Sequence, residues 1–338
     1  MFKEGRFYKY LLLVGSIIIS LFLIELLLRI IKFDYNPLLI TAVEENDSRE
    51  FLAFELGSEL IDDRVFSYDP VLLWRPNVDF LVPIFNRQGF RGDVIDDTNA
   101  HYYKILALGD SNTLGMVVGY DWPRYLGESL KKDNGEIMVI NAGIWGYSSY
   151  QGLQRFKEML SFKPDMVLIS FGSNDAHLVF TPDKKWSKQS LVMSKFLNKF
   201  KLYHLAMAVS MEASVAINKQ LNAGLVHRVS PGEYRKNLLE IVSLARQHDI
   251  IPILLTRPFT GTSHNSLWWK NFAPEYNDIV MEVARENNVD YLDVYSFFRD
   301  KENLFGDESH FNPGGNKVMA ELVYEHINKY INTPNEKE

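Results

Sequence analysis

The chain has 338 residues, of which 46% are hydrophobic and 23% charged, and its formal net charge is -7 at pH 7. This apolar content excludes wholesale disorder, and an acidic chain without a concentrated basic surface argues against a nucleic-acid partner. Cysteine is absent, which removes disulfides, thiol catalysis and thiolate metal sites but fixes no compartment. The length suits one catalytic α/β domain with extensions.

A transmembrane anchor is predicted within residues 1–33. Residues Leu11 to Leu28 are almost wholly apolar, and a helix of about 20 residues spans a bilayer core. The run exceeds the core of a typical signal peptide and no small-x-small cleavage pattern follows it, so we expect an uncleaved single-pass anchor. Glu25 could mark an intramembrane site, but it lies within a turn of the helix end, where its carboxylate is expected to reach the interface.

Charge flanking the anchor predicts its orientation. Basic residues precede it and acidic ones follow it, so the amino terminus should stay cytoplasmic as a short stub, although Arg29 and Lys32 weaken the asymmetry. The catalytic domain would then be extracytoplasmic, in the periplasm or at the cell surface. The flanking residues are Lys3, Arg6 and Lys9 before the anchor, and Asp34, Glu44, Glu45 and Asp47 after it.

Residues 34–100 are predicted to form a tether and then a packed collar. The segment is first polar and acidic, gains aromatic residues between Tyr68 and Trp74, and shows turn chemistry from Phe85 to Gly92. For Phe85 to Gly92 we expect a β-rich addition at the edge of the domain. The alternative is that Arg87 or Arg91 lines the substrate approach.

Residues 101–332 alternate strand and helix patterns, which predicts a three-layer α/β/α domain around a doubly wound parallel sheet of about five strands. The expected strands are Lys104–Leu108, Ile137–Asn141, Met166–Phe171, Ile250–Leu255 and Tyr291–Val294. The expected helices are Trp122–Lys132, Ser149–Leu160, Glu233–Gln247, Trp269–Asn287 and Gly315–Ile331. The tail at 333–338 is polar, and we expect it to fray.

A helical insertion is predicted at about 176–230. Its middle, Tyr203 to Leu221, is rich in Ala, Met and Val, and the preceding Phe196, Leu197 and Phe200 have the spacing of one helical face. We expect a helical hairpin packed on the flank of the sheet. A lid over the site is the alternative.

Polar blocks follow the apolar strands and contain the residue types of a serine nucleophile and its base. Lys104 to Asn112 reads Lys-Ile-Leu-Ala-Leu-Gly-Asp-Ser-Asn, a buried strand that delivers Ser111 to its carboxyl end, where ligands bind in open α/β sheets. A serine hydroxyl needs an adjacent base, and His310 has a suitable imidazole. Asp307, three residues earlier, can orient that imidazole and stabilise its charged form. Ser111, His310 and Asp307 are therefore the predicted catalytic residues.

Four blocks together resemble the SGNH (GDSL-type) hydrolases. They are the Gly-Asp-Ser block at Ser111, Asn141-Ala-Gly-Ile-Trp-Gly146, Gly172-Ser-Asn-Asp175 and Asp307-Glu-Ser-His310, and they follow in the family's order. The resemblance covers Tyr103 to Tyr330, about two thirds of the chain. Phe311 stands where the family usually has proline, which affects a turn and no reacting group.

The resemblance implies an oxyanion hole formed by the backbone N–H of Ser111, the backbone N–H of Gly146 and the side-chain amide of Asn174. Gly143 is a competing choice in the same loop; Gly146 is preferred because the family's glycine lies five residues after the strand-ending asparagine. Asp110 and Asp175 are expected to hold loop amides. His177 is a candidate pocket wall, and no metal or cofactor site is predicted.

The expected function is serine-dependent ester hydrolysis through an acyl-enzyme. The favoured substrate is an acylated extracytoplasmic glycan, such as an envelope polysaccharide, or a glycolipid ester. An O-acyltransferase would use the same triad, and the sequence is compatible with both reactions. A lipase or thioesterase is a further alternative, because membrane proximity and an apolar insertion suit a long acyl chain. A noncatalytic binding module is disfavoured by the intact blocks, and a metal hydrolase by the lack of a His-Glu-x-x-His pattern.

Overall fold

A computed structural model describes residues 2–35, 37, 65–78, 84–115, 120–133, 135–187, 192–260, 267–307 and 309–331. The strands are β1 Phe66–Asp69, β2 Leu73–Pro76, β3 Tyr103–Gly109, β4 Ile137–Asn141, β5 Met166–Ser170, β6 Leu178–Val179, β7 Val226–His227, β8 Ile251–Leu255 and β9 Asp290–Leu292. The helices are α1 Phe2–Ile30, α2 Ser111–Leu114, α3 Trp122–Asp133, α4 Ser149–Met159, α5 Asp183–Trp186, α6 Val192–Leu197, α7 Lys201–Gln220, α8 Pro231–Gln247, α9 Leu267–Glu286, α10 Val294–Phe298 and α11 Pro313–Ile331.

Within the described residues, five parallel strands form the central sheet, in the order β4-β3-β5-β8-β9. The chain therefore moves from β3 to one side and then returns to the other, so the point where the strand order reverses lies at β3. In the register, Ala107 of β3 pairs with Asn141, and Gly109 pairs with Ser170. The ends of β3, β4 and β5 thus meet at one edge, and Ser111, two residues after Gly109, lies there with partial exposure.

Side chains of β3 point alternately into two apolar cores. Leu106 and Leu108 face a cluster that includes residues of α4, α8 and α9, whereas Ile105 and Ala107 face a cluster with residues of α3 and α11. A strand buried on both faces explains the near-continuous apolar run in the sequence. The predicted three-layer α/β/α fold with a doubly wound sheet of about five strands is confirmed.

Most predicted elements lie within two residues of the observed ones, and the last strand shows why boundaries move. The sequence pattern extends that strand to Val294, but Val294 begins α10. The Asp293 side chain accepts a hydrogen bond from the Ser296 N–H and so caps this helix. The cap ends the strand at Leu292.

The collar contains the antiparallel hairpin β1–β2, with Phe66 paired to Pro76. Trp74 of this hairpin is fully buried, and its indole N–H donates to the carbonyl of Trp145 at 3.0 Å. Arg91 does not line a substrate approach, because its side chain is buried and donates to the Leu114 carbonyl at 2.5 Å. In the segment Phe85 to Gly92, only Arg91 forms a β-bridge, to Asn141 of the edge strand β4, and the other residues form turns. The segment therefore lies at the edge of the sheet as expected but is not β-rich, and the alternative role for Arg91 is wrong. The acidic residues Glu44 to Asp47 and the tail at 333–338 lie outside the described residues.

The apolar amino-terminal helix carries a stretch from Phe7 to Ile30 that is long and apolar enough to cross a membrane. The insertion contacts this helix, since α7 packs against α1. Buried Met211 of α7 also joins Tyr35 and Tyr68 in a separate apolar cluster. The prediction of a hairpin on the flank of the sheet is therefore wrong; the partner of α7 is the amino-terminal helix with the adjoining tether and collar.

Candidate active site

Ser111 occupies the first position of the short helix α2, directly after β3. Asp110 caps this helix, because its carboxylate accepts a hydrogen bond from the Asn112 N–H at 2.9 Å. Asp110 is fully buried, whereas Ser111 retains partial exposure. The strand and its cap thus fix the backbone on both sides of the serine and leave its hydroxyl at the sheet edge.

Ser111, His310 and Asp307 form one hydrogen-bonded chain. Ser111 Oγ lies 2.7 Å from His310 Nε2, and His310 Nδ1 lies 2.6 Å from Asp307 Oδ2. An ionised carboxylate can only accept, so the imidazole proton is on Nδ1 and Nε2 accepts from the serine hydroxyl. This arrangement leaves the imidazole able to take the serine proton.

The Asp307 carboxylate is held by the loop that carries the histidine. Its other oxygen, Oδ1, accepts backbone hydrogen bonds from Ser309 at 2.6 Å and from His310 at 2.7 Å. The carboxylate therefore has a fixed orientation toward the imidazole. The side chains of His310 and Asp307 are 12% and 21% exposed, so the cluster lies at the surface of the crevice.

The loop after β4 is tied to the serine turn by the side chain of Asn141. Its amide donates to the Thr113 carbonyl at 3.0 Å, and its oxygen accepts the Gly143 N–H at 3.0 Å. A Cβ at Gly143 would lie 2.4 Å from the Leu114 nitrogen, so this glycine permits close packing of two backbones. Gly146 instead has a φ of 72°, which turns the loop in the left-handed region. Gly143 thus has a packing reason to be glycine, and Gly146 has a conformational one.

Asn174 lies beside the same loop, because its side-chain amide donates to the Tyr147 carbonyl at 3.1 Å. The adjacent Asp175 is fully buried and accepts from the Ser149 N–H, the Ser149 hydroxyl and the Gly172 N–H. Burial raises the pKa of Asp175 to about 7, against the hydrogen bonds from Ser149, which lower it. Asp110 and Asp175 both hold loop amides, as the sequence suggested.

His177 follows the asparagine block, and its carbonyl accepts from the Arg228 N–H at 2.8 Å. Burial, with the nearby Arg228 guanidinium, lowers the pKa of His177 to about 3. The imidazole is therefore neutral at ordinary pH. A wall role for His177 stays a prediction.

Two buried arginines, Arg257 and Arg228, hold loops of the site in place by hydrogen bonds, and no sequence motif indicates this role. Arg257, directly beyond β8, donates to Asp110 Oδ2 at 2.9 Å and to the Ser309 carbonyl at 2.8 Å. It thereby joins the turn before Ser111 to the residue before His310. Arg228 donates to the Gly146 carbonyl at 2.8 Å and pairs with buried Asp183 at 2.7 Å. The only local sign of Arg257 is its position at the end of an apolar strand.

In the part of the chain that the structure describes, no group of three or more His, Asp or Glu side chains has the placement to hold a metal ion. The polar groups at the sheet edge are instead Ser111, His310 and Asp307, joined in that order by hydrogen bonds. This is the arrangement of the serine-dependent hydrolases.

Comparison with known proteins identifies the family. The model of the GDSL-like lipase/acylhydrolase family matches residues 107–318, and the chain belongs to that family. The chain is thus an esterase of the SGNH/GDSL type. It is 24% identical over 257 residues to a Bacillus subtilis protein named uncharacterized lipoprotein YqeF, an alignment that covers 67% of this chain and 88% of that protein. It is 36% identical over 94 residues to an arylesterase of Vibrio mimicus, covering 27% of this chain and 47% of the arylesterase.

Two solved structures are similar in fold. A lipase/acylhydrolase from Enterococcus faecalis is 21% identical with a TM-score of 0.46, covering 67% of this chain and 96% of that one. An acetyl xylan esterase from Geobacillus stearothermophilus is 20% identical with a TM-score of 0.46, covering 67% of this chain and 94% of that one.

Proposed function

We propose that this chain hydrolyses a carboxylic ester through an acyl-enzyme formed on Ser111. The observation that carries the proposal is the unbroken chain of hydrogen bonds from Ser111 Oγ through the His310 imidazole to Asp307, at 2.7 Å and 2.6 Å. A hydroxyl that donates to a neutral imidazole nitrogen can lose its proton as it attacks a carbonyl. The carboxylate stabilises the imidazolium that results.

In the proposed first step, Ser111 Oγ forms a bond to the acyl carbon and His310 Nε2 takes the serine proton. The tetrahedral intermediate collapses, the bond to the alcohol oxygen breaks, and His310 returns the proton to the leaving alcohol. A water molecule then attacks the acyl carbon as His310 takes its proton, and the bond from that carbon to Ser111 Oγ breaks as His310 returns the proton to the serine oxygen. The products are the free acid and the restored serine.

The negative charge on the tetrahedral oxygen needs donors at the same sheet edge. We assign the backbone N–H of Ser111, the backbone N–H of Gly146 and the side-chain amide of Asn174 to this role. Support comes from the hydrogen bond between Asn174 and the carbonyl of Tyr147, which links the asparagine to the residue next to Gly146. Gly143 is less suited, because its N–H donates to Asn141 Oδ1.

We further propose that α1 is a retained, single-pass anchor with the esterase outside the cytoplasm. A signal peptide that is removed would have no reason to pair with the mature domain, yet Glu25 of α1 accepts hydrogen bonds from the backbone of Lys201 and Leu202. The similarity to a lipoprotein agrees with attachment to a membrane. An outward-facing domain meets acylated envelope polysaccharides or glycolipids, and this is the substrate class we propose.

The substrate is tested with the full chain in detergent against chromogenic esters of increasing acyl length, with and without glycan acceptors. Ser111→Ala serves as the matched control. We expect the variant to lose turnover and the wild type to prefer short acyl groups. Preference for long chains would indicate a lipase or thioesterase, and acyl-glycan product in place of free acid would indicate a transferase. Equal turnover by wild type and Ser111→Ala would overturn the proposal.

Topology is tested by fusing alkaline phosphatase, which is active only after export, beyond Lys337. An active fusion is expected. A stable but inactive fusion would place the domain in the cytoplasm and redirect the search toward intracellular esters.

A further inference from the structure

An exposed apolar patch lies on the insertion, just before α7. Met193, Phe196, Leu197 and Phe200 are large apolar residues that remain exposed, and Phe196 is 54% exposed. The rings of Phe196 and Phe200 pack edge to face with centroids 5.6 Å apart, so they form one continuous surface. A contiguous apolar surface of this kind marks an interaction site.

The patch is attached to the end of the apolar amino-terminal helix. Arg29 donates to the Lys199 carbonyl at 2.8 Å, and Glu25 accepts from the Lys201 N–H at 3.2 Å and the Leu202 N–H at 2.8 Å. Glu25 also pairs with Arg29 at 2.7 Å. Phe200 lies between two residues whose backbones are held by the last turns of α1.

These contacts explain the acidic residue in the apolar run. The first N–H groups of any helix lack partners, and Phe200 gives α7 no side-chain cap. Glu25 supplies the missing acceptor from another helix. Both carboxylate oxygens of Glu25 therefore accept hydrogen bonds from the backbone of α7, a role that the expectation of a carboxylate reaching the interface did not include.

The contacts also set the depth of the patch. From Glu25 to Ile30 is five residues, or about 7.5 Å of helix at 1.5 Å per residue. The backbone around Phe200, held by Glu25 and Arg29, thus lies within about 7.5 Å of the level where the apolar stretch Phe7–Ile30 ends. In a bilayer this end of the helix meets the boundary between headgroups and acyl chains, where an apolar face that contains Phe and Leu inserts.

We propose that Met193, Phe196, Leu197 and Phe200 form a membrane-contact surface that inserts into the lipid boundary beside α1. The occupant is the bilayer, because the patch is continuous with the helix that enters it. Exposed Lys199 adds a charge suited to anionic headgroups. The esterase would then be held in one orientation on the membrane surface. This proposal rests on α1 being a retained anchor.

The absence of cysteine from the chain makes a direct test simple. Phe196→Cys, Ile18→Cys and Glu325→Cys are each prepared in the full chain, labelled with a fluorophore sensitive to polarity, and placed in nanodiscs of phosphatidylcholine and phosphatidylglycerol. Nitroxide-bearing lipids then quench labels that contact the bilayer. Ile18 lies in the apolar stretch, and Glu325 is exposed on the last helix.

We expect strong quenching at positions 18 and 196 and little at 325. Quenching at 18 with a water-exposed label at 196 would overturn the membrane-contact surface and leave the anchor intact. No quenching at 18 would overturn the anchor itself. A label at 196 that is shielded only when two chains share a disc would assign the patch to a second copy and overturn the proposal. If Phe196→Cys fails to fold, Met193→Cys gives the same test.

Discussion

Removing the Arg257 guanidinium should destabilise the domain and slow the reaction together. Arg257 pairs with Asp110 at 2.9 Å, and their side chains are 2% and 1% exposed. Arg257→Met leaves the Asp110 carboxylate buried without its cation, and breaking a buried pair on one side costs about 3–5 kcal/mol. For a domain of this size each kcal/mol lowers the melting temperature by about 2–4 °C, so the expected drop is about 6–20 °C.

Activity should fall as well, because Arg257 also donates to the Ser309 carbonyl. Its loss removes hydrogen bonds to Asp110 and to Ser309, the residues just before Ser111 and His310, so both catalytic residues lose positional support. A displacement of about 1 Å can lower turnover on the order of 10²-fold. We expect the loss in kcat, with the KM of a small ester changing less.

The assay is thermal unfolding of the full chain in detergent, followed by circular dichroism at one scan rate, beside ester kinetics. Arg124→Met is the matched control, since Arg124 pairs with Glu128 at the surface with exposures of 56% and 51%. A surface pair contributes about 0–1 kcal/mol. Adding Asp110→Asn to Arg257→Met should restore part of the stability, because the uncompensated charge is then gone. Arg257→Met melting within about 2 °C of the wild type would refute the reasoning.

Three further predictions concern the site and its support. Ser111→Ala and His310→Ala should each abolish ester turnover, and the double variant should be no slower than either, because the two act as a unit; a much slower double variant would count against a shared role. Asn174→Ala should lower kcat on the order of 10²-fold, since its amide is proposed to meet charge that develops in the transition state, and a change in KM alone would make it a substrate-binding residue. Asp175 should make stability depend on pH: its native pKa of about 7 lies above its ordinary value of 3.8, so the native state keeps a proton that the unfolded chain has lost. The free energy of unfolding therefore falls as pH rises through that window and levels off above 7. Asp175→Asn should flatten this fall in urea titrations across the window, and parallel profiles for the two proteins would contradict the assignment.

The sheet and the polar blocks were predictable because their signals are local. An apolar run such as Ile105–Leu108 that ends in glycine and small polar residues indicates a buried strand and the turn that follows it. Parallel strands bring their carboxyl ends to one edge of the sheet. The position of Ser111 and Asn174 at that edge could therefore be predicted from the strands that precede them. The pairing of Asp307 with His310 was predictable because three residues separate them.

Long-range partners were not predictable in the same way. The composition of α7 indicates a helix, but nothing in it identifies the apolar amino-terminal helix as its neighbour in place of the sheet. Glu25 likewise looks like an interfacial carboxylate, and its two backbone donors come from residues more than 170 positions away. Arg257 and Arg228 are single residues. Their support of the site depends on burial and on hydrogen-bond partners far away in the sequence, which no local pattern indicates. The alternative that α6 and α7 cover the site as a lid stays a prediction.

Covalent labelling tests the nucleophile most directly. The full chain is treated with a phosphonate ester that reacts with activated serines, and the adduct is located by peptide mass spectrometry. One adduct is expected, on Ser111, and its formation should be lost in Ser111→Ala and greatly slowed in His310→Ala. An adduct on another residue, or labelling of Ser111→Ala at the wild-type rate, would contradict the acyl-enzyme mechanism.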